Sequence, residues 1–146
     1  MPLSFPDTIL ASAKCSIKDR LALIPVIQTF QTYIHQTRRE GTLCLERYLT
    51  VENQPNIHLI GIKYIVNGYA PDDLATIFMN IIQTSNYTGQ ELLYRLLIAE
   101  GFHCIISRKS KGETLFLMHS LLGEELCDYA QAELLFLSKK NELNRI

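Results

Sequence analysis

The chain has 146 residues, of which 47% are hydrophobic and 20% are charged, and its formal net charge is -1. A chain of this length buries about two thirds of the surface that its unfolded form exposes, so it needs no metal or disulfide to fold. The charge does not favour binding to nucleic acid, which usually requires a basic surface. The one basic cluster, Ser107 to Lys111, is interpreted as a solvated segment, with an anion site as the alternative. We therefore predict one globular domain over residues 1–146 and no intrinsic disorder.

The sequence shows no targeting or membrane segment. The N-terminal stretch MPLSFPDTILASAK contains two prolines and an aspartate where a secretory signal would need a continuous apolar run. The longest uncharged run that is mainly apolar, Leu21 to Thr37, contains proline, glutamine and histidine, which makes it too polar to span a membrane. We expect a cytoplasmic protein that is not membrane-embedded. The cysteines and histidines show no ligand spacing, so we expect reduced thiols, no metal and no cofactor.

Apolar residues recur at spacings of three or four, which is the period of one helix face. The motif SIKD at 16–19 predicts the capped start of a short helix, and Pro25 suits the first turn of a longer one. This longer helix is predicted to continue to Tyr48. Its apolar stripe comprises Ile27, Phe30, Ile34, Thr37, Gly41, Leu45 and Tyr48. Gly41 would therefore lie on the buried face, where a missing side chain lets a neighbouring helix approach closely.

A second apolar segment, Ile57 to Val66, is predicted to be a helix that ends at NGYAPDD. Asn67 and Gly68 suit the left-handed turn after a helix, and Pro71 with two aspartates suits the start of the next. Gly68 is thus the second glycine expected to serve helix packing, in a tight helix-turn-helix. Further along, FHCIIS at 102–107 would also suit a strand, but a lone strand lacks a pairing partner, which favours helix.

Two short motifs recur in the second half of the chain. REGTLC at 39–44 is echoed by AEGFHC at 99–104, and GYAPDDLATIF at 68–78 more loosely by GEELCDYAQ at 123–131. These pairs raise the hypothesis of a duplicated three-helix unit, residues 16–86 and 87–146. The alternative is that Glu-Gly pairs recur by chance. In either case the predicted class is all-α, a compact bundle of helix-turn-helix units with five to seven helices and no substantial sheet.

From TRREGTLCLERYL to IKYIVNGYAPDDL, roughly residues 30–82, the sequence resembles the cytoplasmic loop of the flagellar stator subunit MotA. The shared pattern is an arginine-rich step, Glu-Gly, a Leu-Glu pair and a Val-x-Gly turn before an acidic helix start. The matching positions are Arg38, Arg39, Glu40, Gly41, Leu45, Glu46, Val66, Gly68, Pro71 and Asp72.

In the MotA family, charges on both sides of Glu-Gly meet complementary charges on the rotor protein FliG. The resemblance therefore implies a protein partner, a rotor or other motility protein, bound by Arg38, Arg39 and Glu46. Arg39 and Glu46 are seven residues apart and would share one face of a continuous helix. The alternative is a solvated face with an Arg-Glu interaction across two turns.

The chain departs from the MotA pattern because it lacks that family's membrane helices, so it is not expected to conduct ions. Ile98 and Ile106 occupy the positions aligned with Arg38 and Glu46, which favours a packing role for the second half. The leading hypothesis is a soluble, non-enzymatic protein-binding module that docks by charge complementarity. The alternative is a small helical scaffold, unrelated to motility, that forms a homo-oligomer through the Gly41 face. No phosphate-binding loop or nucleophile motif indicates an enzyme.

Overall fold

The computed structural model describes residues 3–126, and within them it contains α-helices and 3₁₀ helices but no strand. The α-helices are α1 (Asp7–Ser12), α2 (Ile17–Leu21), α3 (Ile24–Glu40), α4 (Asn56–Val66), α5 (Pro71–Thr84), α6 (Gly89–Ile106) and α7 (Lys111–Ser120). The 3₁₀ helices are Thr42–Tyr48 and Glu124–Leu126. The all-α prediction is confirmed. Residues 102–106 of the segment FHCIIS form the end of α6, as predicted, and Ser107 follows the helix.

Helix α6 forms the centre of the fold. It packs against α3, α4, α5 and α7, and a helix that is apolar around its whole circumference needs such neighbours on every side. Leu96, Ile98 and Phe102 have no exposed surface. Ile98 is fully buried and Ile106 is half-buried, in agreement with the packing role expected of these two positions. Within the described residues, no helix has both the length and the apolar character needed to cross a bilayer.

The predicted helix starts agree with the structure. Ser16 is the N-cap of α2, and its side-chain oxygen accepts a hydrogen bond from the backbone N–H of Asp19 at 3.1 Å. Pro25 lies in the first turn of α3, and Pro71 begins α5. Each of these residues acts on backbone only a few positions away, so its effect can be predicted from the local sequence.

The prediction of one long helix through Gly41 is wrong. Helix α3 ends at Glu40, Gly41 adopts a φ of +86°, and the chain continues as the 3₁₀ helix Thr42–Tyr48. Side chains disfavour that backbone conformation, so glycine serves here as a helix stop. Gly41 is exposed, and a Cβ at this position would have no atom within 4 Å. The prediction that Gly41 lies at a close helix-helix contact is therefore also wrong.

Gly68 likewise makes no close helix contact. Its φ is +71°, as the predicted turn requires, but a Cβ there would have nothing within 4 Å. The expected packing role of Gly68 is wrong, and its role is to turn the chain. Asn67, which was expected to share the left-handed conformation, has a φ of -76°.

The close contacts occur instead at Gly61 in α4 and Gly101 in α6. A Cβ on Gly61 would lie 2.6 Å from Cε2 of Phe102, and a Cβ on Gly101 would lie 2.5 Å from Cγ of Phe30. The two phenyl rings meet edge to face, with centroids 4.9 Å apart. Each ring therefore fills the space that a side chain on the facing glycine would need, which brings α3, α4 and α6 together.

The two motifs that suggested a duplication have different structures. Gly41 ends a helix, whereas Gly101 lies inside α6 with helical neighbours on both sides. The REGTLC and AEGFHC segments thus give no structural support to a repeat. The other pair ends at residue 131, beyond the described residues. The duplicated unit and the boundary of the domain at 1–146 stay predictions.

Candidate protein-binding site

The 3₁₀ helix after Gly41 is fixed against the last turns of α3. The Tyr48 hydroxyl donates a hydrogen bond to Oε1 of Gln36. Nη2 of Arg47 lies 2.9 Å from Oε2 of Glu40 and forms an ion pair with it. Leu45 is fully buried in the core. These contacts hold the backbone on both sides of Gly41, so the exposed side chains of this segment project from a defined surface.

All three predicted partner-binding residues, Arg38, Arg39 and Glu46, are exposed. The side chains of Arg39 and Glu46 have no hydrogen bond or ion pair within the described residues. They do not share the face of one continuous helix, because α3 ends between them. The interaction that the sequence suggested across two turns is made by Glu40 and Arg47 instead. Glu40 and Arg47 therefore compensate each other's charge, whereas Arg39 and Glu46 do not form such a pair.

Arg38 has a different environment from Arg39. Its Nη2 donates hydrogen bonds to the carbonyl oxygens of Arg108, at 3.4 Å, and of Lys109. These bonds connect the end of α3 to the loop between α6 and α7, in which Arg108 adopts a φ of +59°. Arg38 thus holds the backbone of a loop that carries two further cations.

A groove of about 660 Å³ lies where the end of α3, the α4–α5 turn and the end of α6 meet. Its lining residues include Arg38, Gly41 and Gly68, three of the five site residues predicted from the sequence. Its apolar lining comprises Ile34, Ile65, Ile105 and Ile106. Its charged lining comprises Arg38, Arg108 and Lys109. Arg39 and Glu46 are not among the lining residues.

Cations on the α3 and α6 side of the groove are poorly compensated. Arg108 has no ion pair within residues 3–126. Lys109 has a long contact in solvent, 3.8 Å from Nζ to Oε2 of Glu113, and an electrostatic interaction with Glu100. Asp72 and Asp73 follow Pro71 in the first turn of α5, but neither lines the groove. The charged lining of the groove is therefore basic.

Four residues of this region were not predicted from the sequence to belong to a site. Arg108 and Lys109 belong to the basic cluster that was interpreted as a solvated segment, and nothing local indicates that they approach Arg38. Leu43 is 63% exposed, the highest value among the large hydrophobic side chains described, and Tyr69 is 58% exposed. Leu43 was visible as the apolar residue nearest the Glu-Gly pair, but the continuous-helix prediction gave no reason to expect it at the surface.

The buried ionisable residues belong to the core. Nε2 of His58 lies 2.9 Å from the hydroxyl of Tyr33, and burial lowers the pKa of His58 to about 4. Burial raises the pKa of Glu100 to about 7, and the Cys104 thiol donates to its carboxylate at 3.8 Å. None of these groups lines the groove. Among the residues described, no three His, Cys, Asp or Glu side chains cluster as metal ligands.

Comparison with models of protein families, with curated proteins and with solved structures found no match for this chain. The features from which a function can be inferred are therefore the all-α fold, the exposed charges beside Gly41 and the groove.

Proposed function

We propose that this chain is a protein-binding module that docks on its partner through Arg38, Arg39 and Glu46. The observation that supports this most strongly is that Arg39 and Glu46 are exposed and unpaired within the described residues, on a segment whose backbone is fixed. Charges that have no intramolecular partner are free to meet complementary charges on another protein. Such contacts steer encounter and choice of partner more than they add affinity.

Leu43 supplies an apolar contact beside these charges. It lies between Arg39 and Glu46 in the chain, and most of its side chain is in solvent. Protein interfaces commonly place an apolar residue at the centre, with a polar rim that excludes water around it. The segment from Arg39 to Glu46 therefore has the composition of a small docking surface.

The resemblance to the MotA cytoplasmic loop supports a specific partner, a FliG-like rotor protein or a related motility component. The matching charges are the ones proposed to dock, and Gly41 between them is the residue that exposes them. Docking of this kind needs no cofactor and no catalytic group. Self-association unrelated to motility is the competing function, and it predicts an oligomer in the absence of any partner.

The test is a calorimetric titration of the full chain with a purified FliG-like rotor protein. Arg39→Glu and Glu46→Lys should each weaken binding by about tenfold or more, and a compensating charge reversal on the rotor should restore part of it. Lys18→Glu is the matched control. Lys18 is an exposed cation of α2 at the other end of α3, roughly 24 Å away along a 17-residue helix.

Thermal melting accompanies each titration, and all three variants should melt near the wild-type temperature, because exposed charges contribute less than about 1 kcal/mol to stability. Equal binding by wild type, Arg39→Glu and Glu46→Lys would refute the proposed docking surface. Sedimentation of the chain alone tests the competing function, self-association. A stable oligomer with no affinity for the rotor would favour the scaffold.

A further inference from the structure

The groove beside Arg38 combines an apolar wall with uncompensated cations. We propose that it binds an acidic segment of a partner protein, with an apolar side chain against the isoleucines and a carboxylate beside Arg38, Arg108 and Lys109. This inference rests on the proposed function, because it names the part of the partner that the module recognises.

The volume and the wall of the groove favour a peptide segment. About 660 Å³ lies within the range of sites that take a small ligand or a few side chains, and it is too small for a folded domain. The wall is built from three different helices, with Ile34 from α3, Ile65 from α4 and Ile105 from α6. These helices belong to the core, so the wall exists before any partner arrives. A preformed apolar wall offers an aliphatic side chain burial at little cost in ordering.

The cations favour a carboxylate as the polar part of that segment. Arg38 holds the carbonyl oxygens of Arg108 and Lys109, so three positive side chains belong to one small region. Within the described residues Arg38 and Arg108 have no ion pair, and Lys109 has the long, exposed contact with Glu113 and an electrostatic interaction with Glu100. A guanidinium binds a carboxylate through two parallel hydrogen bonds, which gives geometric selectivity as well as attraction.

The position of the cations adds a direction. Arg38 lies in the last turn of α3, and Arg108 and Lys109 follow the end of α6. The acidic part of the bound segment should therefore lie where these two helix ends meet. Tyr69, 58% exposed on the α4–α5 turn, lines the groove and is available to cover the segment. Phosphate groups would also attract the cations, but a phosphodiester chain has no aliphatic group to place against the isoleucine wall.

The test uses fluorescence anisotropy of the full chain with three labelled peptides. The central sequences of the three peptides are the acidic Asp-Leu-Glu-Leu-Asp, its amide analogue Asn-Leu-Gln-Leu-Asn, and the basic Lys-Leu-Lys-Leu-Lys. The acidic peptide should bind at least about tenfold tighter than either of the others, a difference of about 1.4 kcal/mol. Failure of the acidic peptide to bind wild type, or equal binding of all three, would overturn the proposal.

Two variants probe the two halves of the groove. Arg108→Glu should reduce binding of the acidic peptide by about tenfold or more. Arg108→Lys should reduce it less, because the charge remains while the paired hydrogen bonds of the guanidinium are lost. Thr42→Trp should block the groove sterically, because Thr42 is an exposed lining residue. Lys18→Glu is again the control, and circular dichroism checks that each variant is folded. Inorganic phosphate or a single-stranded oligonucleotide that displaces the peptide at equal charge concentration would show a general anion site and overturn the proposal.

Arg39→Glu and Arg108→Glu separate the two proposals in rotor binding, because Arg108 lies outside the segment from Arg39 to Glu46. If Arg39→Glu weakens rotor binding while Arg108→Glu does not, the docking surface stands and the groove proposal is wrong. If Arg108→Glu weakens rotor binding as well, the rotor uses the groove. If neither variant has an effect on rotor binding, the proposed function fails.

Discussion

Gly101→Ala should destabilise the protein, although alanine is the better helix former. Gly101 lies inside α6, and a Cβ there would be 2.5 Å from Cγ and 2.7 Å from Cε1 of Phe30. Phe30 has no exposed surface. Its ring meets the rings of Phe102 and Tyr33 edge-on, with centroids 4.9 and 5.3 Å away. The ring has no free space to move into, so the helices must shift to admit a methyl group.

The expected cost follows from two opposing effects. Overpacking a tight core costs about 1 to 3 kcal/mol, and contacts this short place Gly101→Ala near the upper end. Replacing glycine by alanine in a helix returns about 1 kcal/mol. The net loss should therefore be about 2 kcal/mol, which lowers the melting temperature of a chain of this size by about 4 to 8 °C.

Urea unfolding followed by circular dichroism measures the loss, and Phe30→Leu identifies its cause. If the ring is the obstacle, Gly101→Ala combined with Phe30→Leu should lose less stability than the sum of the two single changes. Gly41→Ala is the contrasting variant. It should cost only the strain of a φ of +86° with a ψ of 168°, about 1 to 3 kcal/mol, and Gly41→Leu should cost no more, since no atom lies within 4 Å. If Gly101→Ala keeps wild-type stability, or if its loss is strictly additive with that of Phe30→Leu, the Phe30 ring is not the obstacle.

Three further outcomes follow from burial and exposure. Burial raises the pKa of Glu100 from 4.5 to about 7, so ionisation of its carboxylate removes stability as pH rises across that interval, by roughly 3 kcal/mol in full. Glu100→Gln should abolish this loss, measured as the difference between urea unfolding below pH 4.5 and above pH 7. Burial lowers the pKa of His58 from 6.5 to about 4, so its stabilising effect is complete above pH 6.5 and is lost as pH falls to 4. The two effects oppose each other between pH 4.5 and 6.5. In Glu100→Gln only the effect of His58 remains, so stability should fall as pH falls; in His58→Gln only the effect of Glu100 remains, so stability should rise as pH falls. Equal slopes of stability against pH in the two variants would contradict both assignments. Leu43→Ser should keep the wild-type melting temperature, because the side chain is 63% exposed, but weaken rotor binding in the calorimetric titration; unchanged binding would remove Leu43 from the interface.

Local signals made the starts of α2, α3 and α5 and the extent of α4 predictable. Ser16, Pro25 and Pro71 act through capping geometry and fixed φ within a few residues, and all three mark the starts that the structure shows. The failure at Gly41 has a physical reason. A stripe of apolar residues at spacings of three and four fits a continuous helix, but it also fits a helix followed by a 3₁₀ turn against the same core. Leu45 is buried by the second arrangement just as the first would bury it.

The groove could not be predicted from this one sequence, although three of its lining residues were named. Arg38, Gly41 and Gly68 were chosen for different reasons, a charge and two helix glycines, and the sequence places them in separate segments. Their meeting depends on contacts between distant residues, such as the bond from Arg38 to the carbonyl of Arg108, 70 positions later. Periodicity and capping contain no information on pairs so far apart.

The conformation of Gly41 connects the fold to the proposed function. Had α3 continued, Arg39 and Glu46 would lie two turns apart on one face, where opposite charges attract each other instead of a partner. By ending the helix at Glu40, the φ of +86° at Gly41 lets Arg47 reach Glu40 at 2.9 Å. Arg47, a cation next to Glu46 in the chain, is thereby paired with Glu40. Arg39 and Glu46 are left facing solvent on a fixed backbone, which is the condition that charge-guided docking requires.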